Sequence, residues 1–190
     1  RGLLFRKKEH KTHQPSRLGQ WLNRLPEGKK WLYPVYQART LRLMESTCVC
    51  PRLPRAMDGL RVAYASDVHY GAFLGKERVL DLAERLNALQ ADIILLGGDY
   101  GENGDKSLEF FSLLPPLRAR AAVCGVVGNH DTAPPWQGQE ALVAAMERAG
   151  VTPLVNSALD IRLAGARLTL CAVDDIYHGT PDFPGMVTQS

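Results

Sequence analysis

From residue 60 onward the chain alternates short apolar runs with stretches in which apolar residues recur every three or four positions. The runs "LRVAYAS" (60–66), "DIILLGG" (92–98) and "AAVCGVV" (121–127) are nearly continuous in apolar residues and of strand length. Such runs predict strands buried on both faces. Between them, "KERVLDLAERLNALQ" places Val79, Leu82, Ala83, Leu86 and Leu89 at helical spacing, and "DKSLEFFSLLPPL" reads as a short helix stopped by Pro115 and Pro116. "QEALVAAMERAG" is a further helix with Gly150 as its cap, followed by short strands near 153–156, 159–163 and 167–173. Strands that alternate with helices predict an α/β fold built on a parallel sheet.

Before residue 60 the pattern is irregular. Pro34, Pro51 and Pro54 interrupt it and Asp58-Gly59 closes it as a turn, which leaves residues 41–49 as an edge strand. We divide the chain into a basic N-terminal extension, 1–40, and a globular domain, 41–190. Composition changes this picture at one point only. Residues 1–30 carry nine Lys/Arg against two Asp/Glu, whereas the remaining 160 residues are net acidic. A basic head that also holds Phe5 and Trp21 is compatible with an anionic membrane surface, although a solvated arm is the reading favoured; nucleic acid has only that charge in its favour. No apolar run reaches the roughly 18 residues of a membrane-spanning helix, and a cytoplasmic or peripheral membrane location is expected. The first residue is Arg1, so an upstream anchor or signal is allowed for. The four cysteines form no C-x-x-C pair; Cys124 and Cys171 sit in apolar runs and read as buried free thiols, without structural zinc.

The candidate chemistry collects at the ends of the three apolar runs, in "SDVHYG", "GGDYGENGD" and "GNHDTAP". Asp67 precedes Asp99 by 32 residues and Asp99 precedes His130 by 31, each close to one strand-helix-strand unit. Ligands of open α/β sheets bind outside the carboxyl ends of the strands, so Asp67, His69, Asp99, Asn129, His130 and Asp131 should converge on one rim. Singly, each has a plain structural reading as a strand-end cap or turn residue. In an extended segment Asp67 and His69 would point to the same side. Together, carboxylates, an imidazole and an amide oxygen suit Mn, Fe or Zn better than calcium. Two such ions about 3.5–4 Å apart clamp a phosphoryl group, with Asp99, on the middle segment, as the bridge.

The trio D-x-H, G-D and G-N-H-D, in this order and at these intervals, resembles the calcineurin-like metallophosphoesterase superfamily. It is most similar to a bacterial branch of phosphodiesterases, some of them membrane-associated and acting on nucleotide-lipids. The resemblance covers about residues 56–178. It implies a layered αββα sandwich of mixed sheets flanked by helices, two divalent metal ions (Mn, Fe or Zn) and a phosphoester substrate attacked by a metal-bound hydroxide. Asp67 and His69 would bind the first ion, Asp99 would bridge, and Asn129 would bind the second. His130 would be the catalytic residue, beside the phosphate, a task suited to a side chain that exchanges protons near neutral pH. Asp131 would orient His130 or a ligand, or act as a turn residue.

Family members continue past "VDD" with an S-H-x-P-like and a G-H-x-H segment that complete both metal shells. Neither segment occurs in the sequence up to Ser190, and His178 in "DDIYHGTPD" reads as a loop or substrate-edge residue. The expected fold is therefore incomplete at its C-terminus. The second ion is left with Asp99 and Asn129 alone, and an apolar sheet face is exposed to further chain or to a second copy. A phosphoesterase is the leading reading; the alternative is a binding module or incompetent fragment that keeps part of the metal site.

Overall fold

The computed structural model describes residues 4–10, 41–71 and 74–185. The chain forms two compact units, Arg1–Leu53 and Pro54–Ser190. Of the first, the described part is a two-stranded antiparallel ribbon. Strand β1 (Leu4–His10) pairs with β2 (Leu43–Val49), Leu4 lying opposite Val49 and His10 opposite Leu43. The expected edge strand at 41–49 thus exists, with its partner in the basic head. Most of that head, residues 1–3 and 11–40, lies outside the described residues, and the proposed membrane contact falls largely there.

The second unit is built on four strands, β3 (Val62–Ala65), β4 (Ile93–Leu96), β5 (Ala122–Gly125) and β6 (Thr152–Pro153). All neighbours are parallel and spatial order equals chain order. Helix α1 (Lys76–Ala88) connects β3 to β4, α2 (Gly104–Leu113) connects β4 to β5, and a short α3 (Asn129–Thr132) and α4 (Gln139–Arg148) connect β5 to β6. The three long helices fall on their expected segments. Helix α1 buries Val79, Leu82, Ala83 and Leu86, the positions picked out by its periodicity. Helix α2 starts where the Asn103 side chain accepts from Lys106 N at 3.0 Å. The hairpin β7 (Ser157–Leu163) and β8 (Ala166–Ala172) forms a separate antiparallel sheet, reversed at Ala164-Gly165, both with positive φ, 49° and 80°.

The layered α/β fold is therefore present; among the described residues of this unit the main sheet is parallel and the hairpin antiparallel. Helical crossovers impose parallel strands and the tight turn imposes antiparallel ones. The helices cover one face of the main sheet; on the other face Ile93 and Cys124 are buried, and the edge strand β3 is open. Right-handed crossovers between strands that never reverse order put every helix on the same side. Met146 of α4 meets Gly125 on that side, and the core there holds Ile94, Leu96, Phe110, Leu142 and Met146. On the opposite face of β3, Val62 and Tyr64 are 50% and 65% exposed. Cys124 is buried as expected, but Cys171 is exposed, because strand alternation in the hairpin turns it outward. No disulfide occurs among the described residues.

Candidate metal centre

The ends of β3, β4 and β5 approach one another so closely that two crossing points require glycine. A Cβ on Gly98, whose φ is +87°, would stand 2.7 Å from Gly128 N and 2.8 Å from its Cα, and a Cβ on Gly128 would strike the Asp99 carboxylate and amide. Beyond β3 the chain continues along β4 without regular geometry. Asp67 N donates to Gly98 O (3.1 Å), His69 N to Asp99 O (3.0 Å) and Tyr70 N to Tyr100 O (2.8 Å). These long-range bonds hold Asp67 (φ 55°), His69 (φ 47°) and Asp99 (φ 54°) in the left-handed region. Each non-glycine residue there costs about 1–2 kcal/mol, a strain that concentrates at functional sites. The segment is thus not extended, as the D-x-H spacing had suggested. Asp67 and His69 nevertheless face each other, with His69 Nε2 3.9 Å from Asp67 Oδ1.

The structure brings His69, Asp99 and His130 together. His69 Nε2 lies 3.9 Å from Asp99 Oδ2, the His69 and His130 rings meet edge-on with centroids 4.7 Å apart, and one ligand atom from each of the three lies within 4.8 Å of the others. Two nitrogen or oxygen atoms held about 2.1 Å from one ion are at most about 4.2 Å apart. The 3.9 Å pairs satisfy that limit as they stand, and the full set does so after closing by a few tenths of an ångström. The donor set, two imidazoles and a carboxylate, suits Mn, Fe or Zn. Asp67 is largely exposed beside it, and Asn129 is half-buried as the first residue of α3.

Asp99 divides its two oxygens. Oδ1 accepts from His130 N at 3.0 Å while Oδ2 faces His69, so each oxygen keeps a lone pair for an ion. The exposed His130 ring places Nδ1 3.4 Å from Glu102 O. With Nδ1 protonated toward that carbonyl, Nε2 is a lone pair for an ion in the neutral ring and a donor in the charged one.

Asp131 does something other than orient His130. Its side chain is fully buried, and it accepts four bonds: Oδ1 from Tyr100 N (2.9 Å) and Ser107 Oγ (2.6 Å), Oδ2 from Asp99 N (2.8 Å) and Gly128 N (2.8 Å). Four donors fill the four lone-pair sites of a carboxylate and leave none for a ring N–H. Burial pushes the Asp131 carboxyl above its ordinary range, opposed by the Ser107 hydroxyl and the three backbone N–H groups. Every neighbour is a donor, so only the ionised form has its partners matched. The spacing Gly128-x-x-Asp131 is that of a helix N-terminus, with Asp131 at the third helical position, and this signal was available in the sequence. Ser107, fully buried on α2, carries no such signal. His178 is exposed in its loop, its N donating to Asp175 Oδ2 at 2.7 Å.

Tyr70 buttresses the same rim. Its hydroxyl donates to Glu109 Oε1 (2.6 Å), Lys106 Nζ donates to Glu109 Oε2 (2.6 Å), and that ammonium sits 5.6 Å over the Tyr70 ring.

The sequence pattern of the calcineurin-like phosphoesterase family matches residues 60–179, the stretch that contains all three strand ends. A Bacillus subtilis metallophosphoesterase, YkuE, is 26% identical over 87% of this chain and 59% of its own length. A putative metallophosphoesterase of Caenorhabditis elegans, F40B5.2, is 29% identical over 80% and 31%, and the Escherichia coli phosphodiesterase YaeI is 30% identical over 63% and 45%. The chain thus spans about a third to three fifths of the length of these relatives. With a pattern match over more than half its residues, centred on the clustered His and Asp side chains, this chain belongs to the calcineurin-like phosphoesterase family.

Proposed function

We propose that the chain supplies the metal-holding part of a metal-dependent phosphoesterase. The observation that carries this reading is the convergence of His69, Asp99 and His130, from three strand ends, within 4.8 Å. Asp67, His69 and Asp99 would hold one divalent ion, and Asp99 with Asn129 would hold a second. Bound there, the ions would supply Lewis-acid activation of the phosphoryl group and of water. The residues supply the rest. The Asp99 carboxylate is fixed by the His130 amide, so it needs no rearrangement to act as the shared ligand. The His130 ring, exposed and turned toward Glu102 O, is free to donate Nε2–H to a phosphate oxygen or to the leaving group.

A phosphodiester substrate is supported by the similarity to YaeI, a phosphodiesterase. The basic head supports contact with an anionic membrane surface, where a nucleotide-lipid would be presented. Among the described residues no helix is long and apolar enough to cross a membrane. The exposed Val62 and Tyr64 support cover by further chain or by a second copy.

The test is Mn-dependent hydrolysis of bis-p-nitrophenyl phosphate and p-nitrophenyl phosphate by the longest natural form of the protein. Activity should disappear with chelator, return with Mn, and fall at least 100-fold in Asp99→Asn. Equal turnover by Asp99→Asn and wild type would refute the reading.

A further inference from the structure

We infer that Ser107 is a positioning residue for the metal centre, acting on Asp99 through Asp131. It extends the proposed function by naming a residue outside the three motifs, and it rests on that reading for the role of Asp99. Ser107 lies in the first turns of α2, fully buried, eight residues past Asp99. Its hydroxyl has one proton and two acceptors in reach, Asp131 Oδ1 at 2.6 Å and Asn103 O at 3.0 Å. The shorter bond to a charged oxygen takes the proton. The hydroxyl oxygen of Ser107 in turn accepts from Gly101 N at 3.1 Å. One hydroxyl thereby ties the chain just beyond Asp99 to the carboxylate whose other oxygen holds Asp99 N and Gly128 N.

The consequence follows from the conformation of Asp99. Its φ of 54° is unfavourable for a residue with a Cβ, so it persists only where its surroundings over-determine it. Three bonds do so: Asp131 on its N–H, His69 N on its carbonyl and His130 N on its side chain. Two of the three come from residues of the site itself. Asp131 is therefore the anchor outside the reacting groups, and the Ser107 bond holds its Oδ1 side. With Ser107→Ala, Asp131 keeps its three backbone donors but turns more freely. Asp99 Oδ2 then loses its fixed distance to His69, while the hydrophobic core is untouched. Alanine also favours the helix, so the variant should fold.

The experiment compares wild type, Ser107→Ala and Ser107→Thr by amide hydrogen exchange of the metal-free chain, followed by Mn titration. Expected in Ser107→Ala are exchange at least tenfold faster at Asp99, Tyr100 and Gly128, none of which bonds Ser107 directly, and unchanged exchange at Ile93–Leu96 and Phe110. A roughly tenfold weaker Mn affinity should accompany this, with both effects reversed in Ser107→Thr, which restores the hydroxyl. Unchanged exchange at Asp99 would overturn the inference, and so would acceleration spread evenly over the sheet, which marks a merely structural role. Weak Mn binding that Ser107→Thr fails to restore would overturn it too. If wild type binds no Mn but the local exchange pattern appears, the metal reading falls while the hold of Ser107 on Asp99 stands.

Discussion

Replacement of Gly98 by alanine should damage this protein far more than the same change at glycines with nearly the same backbone angles. Gly98 has φ +87°, and Gly59 and Gly150 both have φ +77°. Forcing a Cβ into that region costs about 1–2 kcal/mol wherever it is done. At Gly59 and Gly150 nothing lies within 4 Å of the added carbon, so that cost is all there is. At Gly98 the carbon would stand 2.7 Å from Gly128 N and 2.8 Å from Gly128 Cα. These are backbone atoms held by Asp131, which cannot rotate away as a side chain would. Overpacking of that kind adds about 1–3 kcal/mol, for a total of about 2–5 kcal/mol. Urea unfolding of the three variants isolates the contact, since Gly98→Ala minus Gly59→Ala removes the dihedral cost they share. Moving Gly128 also moves His130 N off Asp99 Oδ1, so Mn affinity should fall in Gly98→Ala and hold in Gly59→Ala. Equal destabilisation of all three variants would refute the close crossing of strand ends on which the site depends.

Two further predictions rest on hydrogen-bond bookkeeping. Asp131→Asn keeps the shape but presents N–H to groups that are themselves donors. If the amide nitrogen turns to the Ser107 side, that hydroxyl can swing to Asn103 O, 3.0 Å away, and Tyr100 N alone is orphaned. One unsatisfied buried donor costs about 1–3 kcal/mol, so urea unfolding should show a loss in that range, and no loss would mean the carboxylate does not hold these amides. The second concerns pH. Hydrogen bonds from Lys106 and then Tyr70 hold Glu109 below its ordinary range, and their bonds to Glu109 raise Lys106 and Tyr70 above theirs. A lowered carboxyl gives stability that is lost as pH falls through its folded value; the raised groups give stability that is lost as pH rises through theirs. The Tm gap between wild type and Glu109→Gln should therefore be widest between roughly pH 5 and 9 and narrow on both sides, and a gap constant with pH would contradict the assignment.

The elements of the second unit were legible because their signals are local. Periodicity placed α1 and α4, two prolines stopped α2, and three apolar runs became β3, β4 and β5. Sheet order was less legible. Nothing in an apolar run says whether its two faces meet one layer of helices or two, and strands in sequential order leave Val62 and Tyr64 without helical cover. The candidate residues His69, Asp99 and His130 do gather beyond the carboxyl ends of the strands, as expected. The rule behind that placement looks for a reversal of strand order, and the described sheet has none. Here the close crossing of Gly98 and Gly128 brings the strand ends together instead.

What sequence could not supply is the conformation of the candidate ligands. D-x-H suggests an extended pair, yet Asp67 and His69 are both left-handed, because their amides are claimed by carbonyls of residues 98 and 99, about thirty positions away. No local preference encodes such bonds; Asp and His only tolerate the left-handed region better than most residues do. The same holds for Asp131. Beside His130 in sequence, it invites a role on that ring, but a buried carboxylate is governed by the donors around it, and those come from residues 99, 100, 107 and 128. Adjacent residues of "GNHD" are thereby assigned to opposite tasks, His130 facing outward to Asp99 and Glu102 and Asp131 facing inward to the backbone that shapes them. Motif spacing tells which residues meet, and only the count of donors and acceptors tells which of them remain free to react.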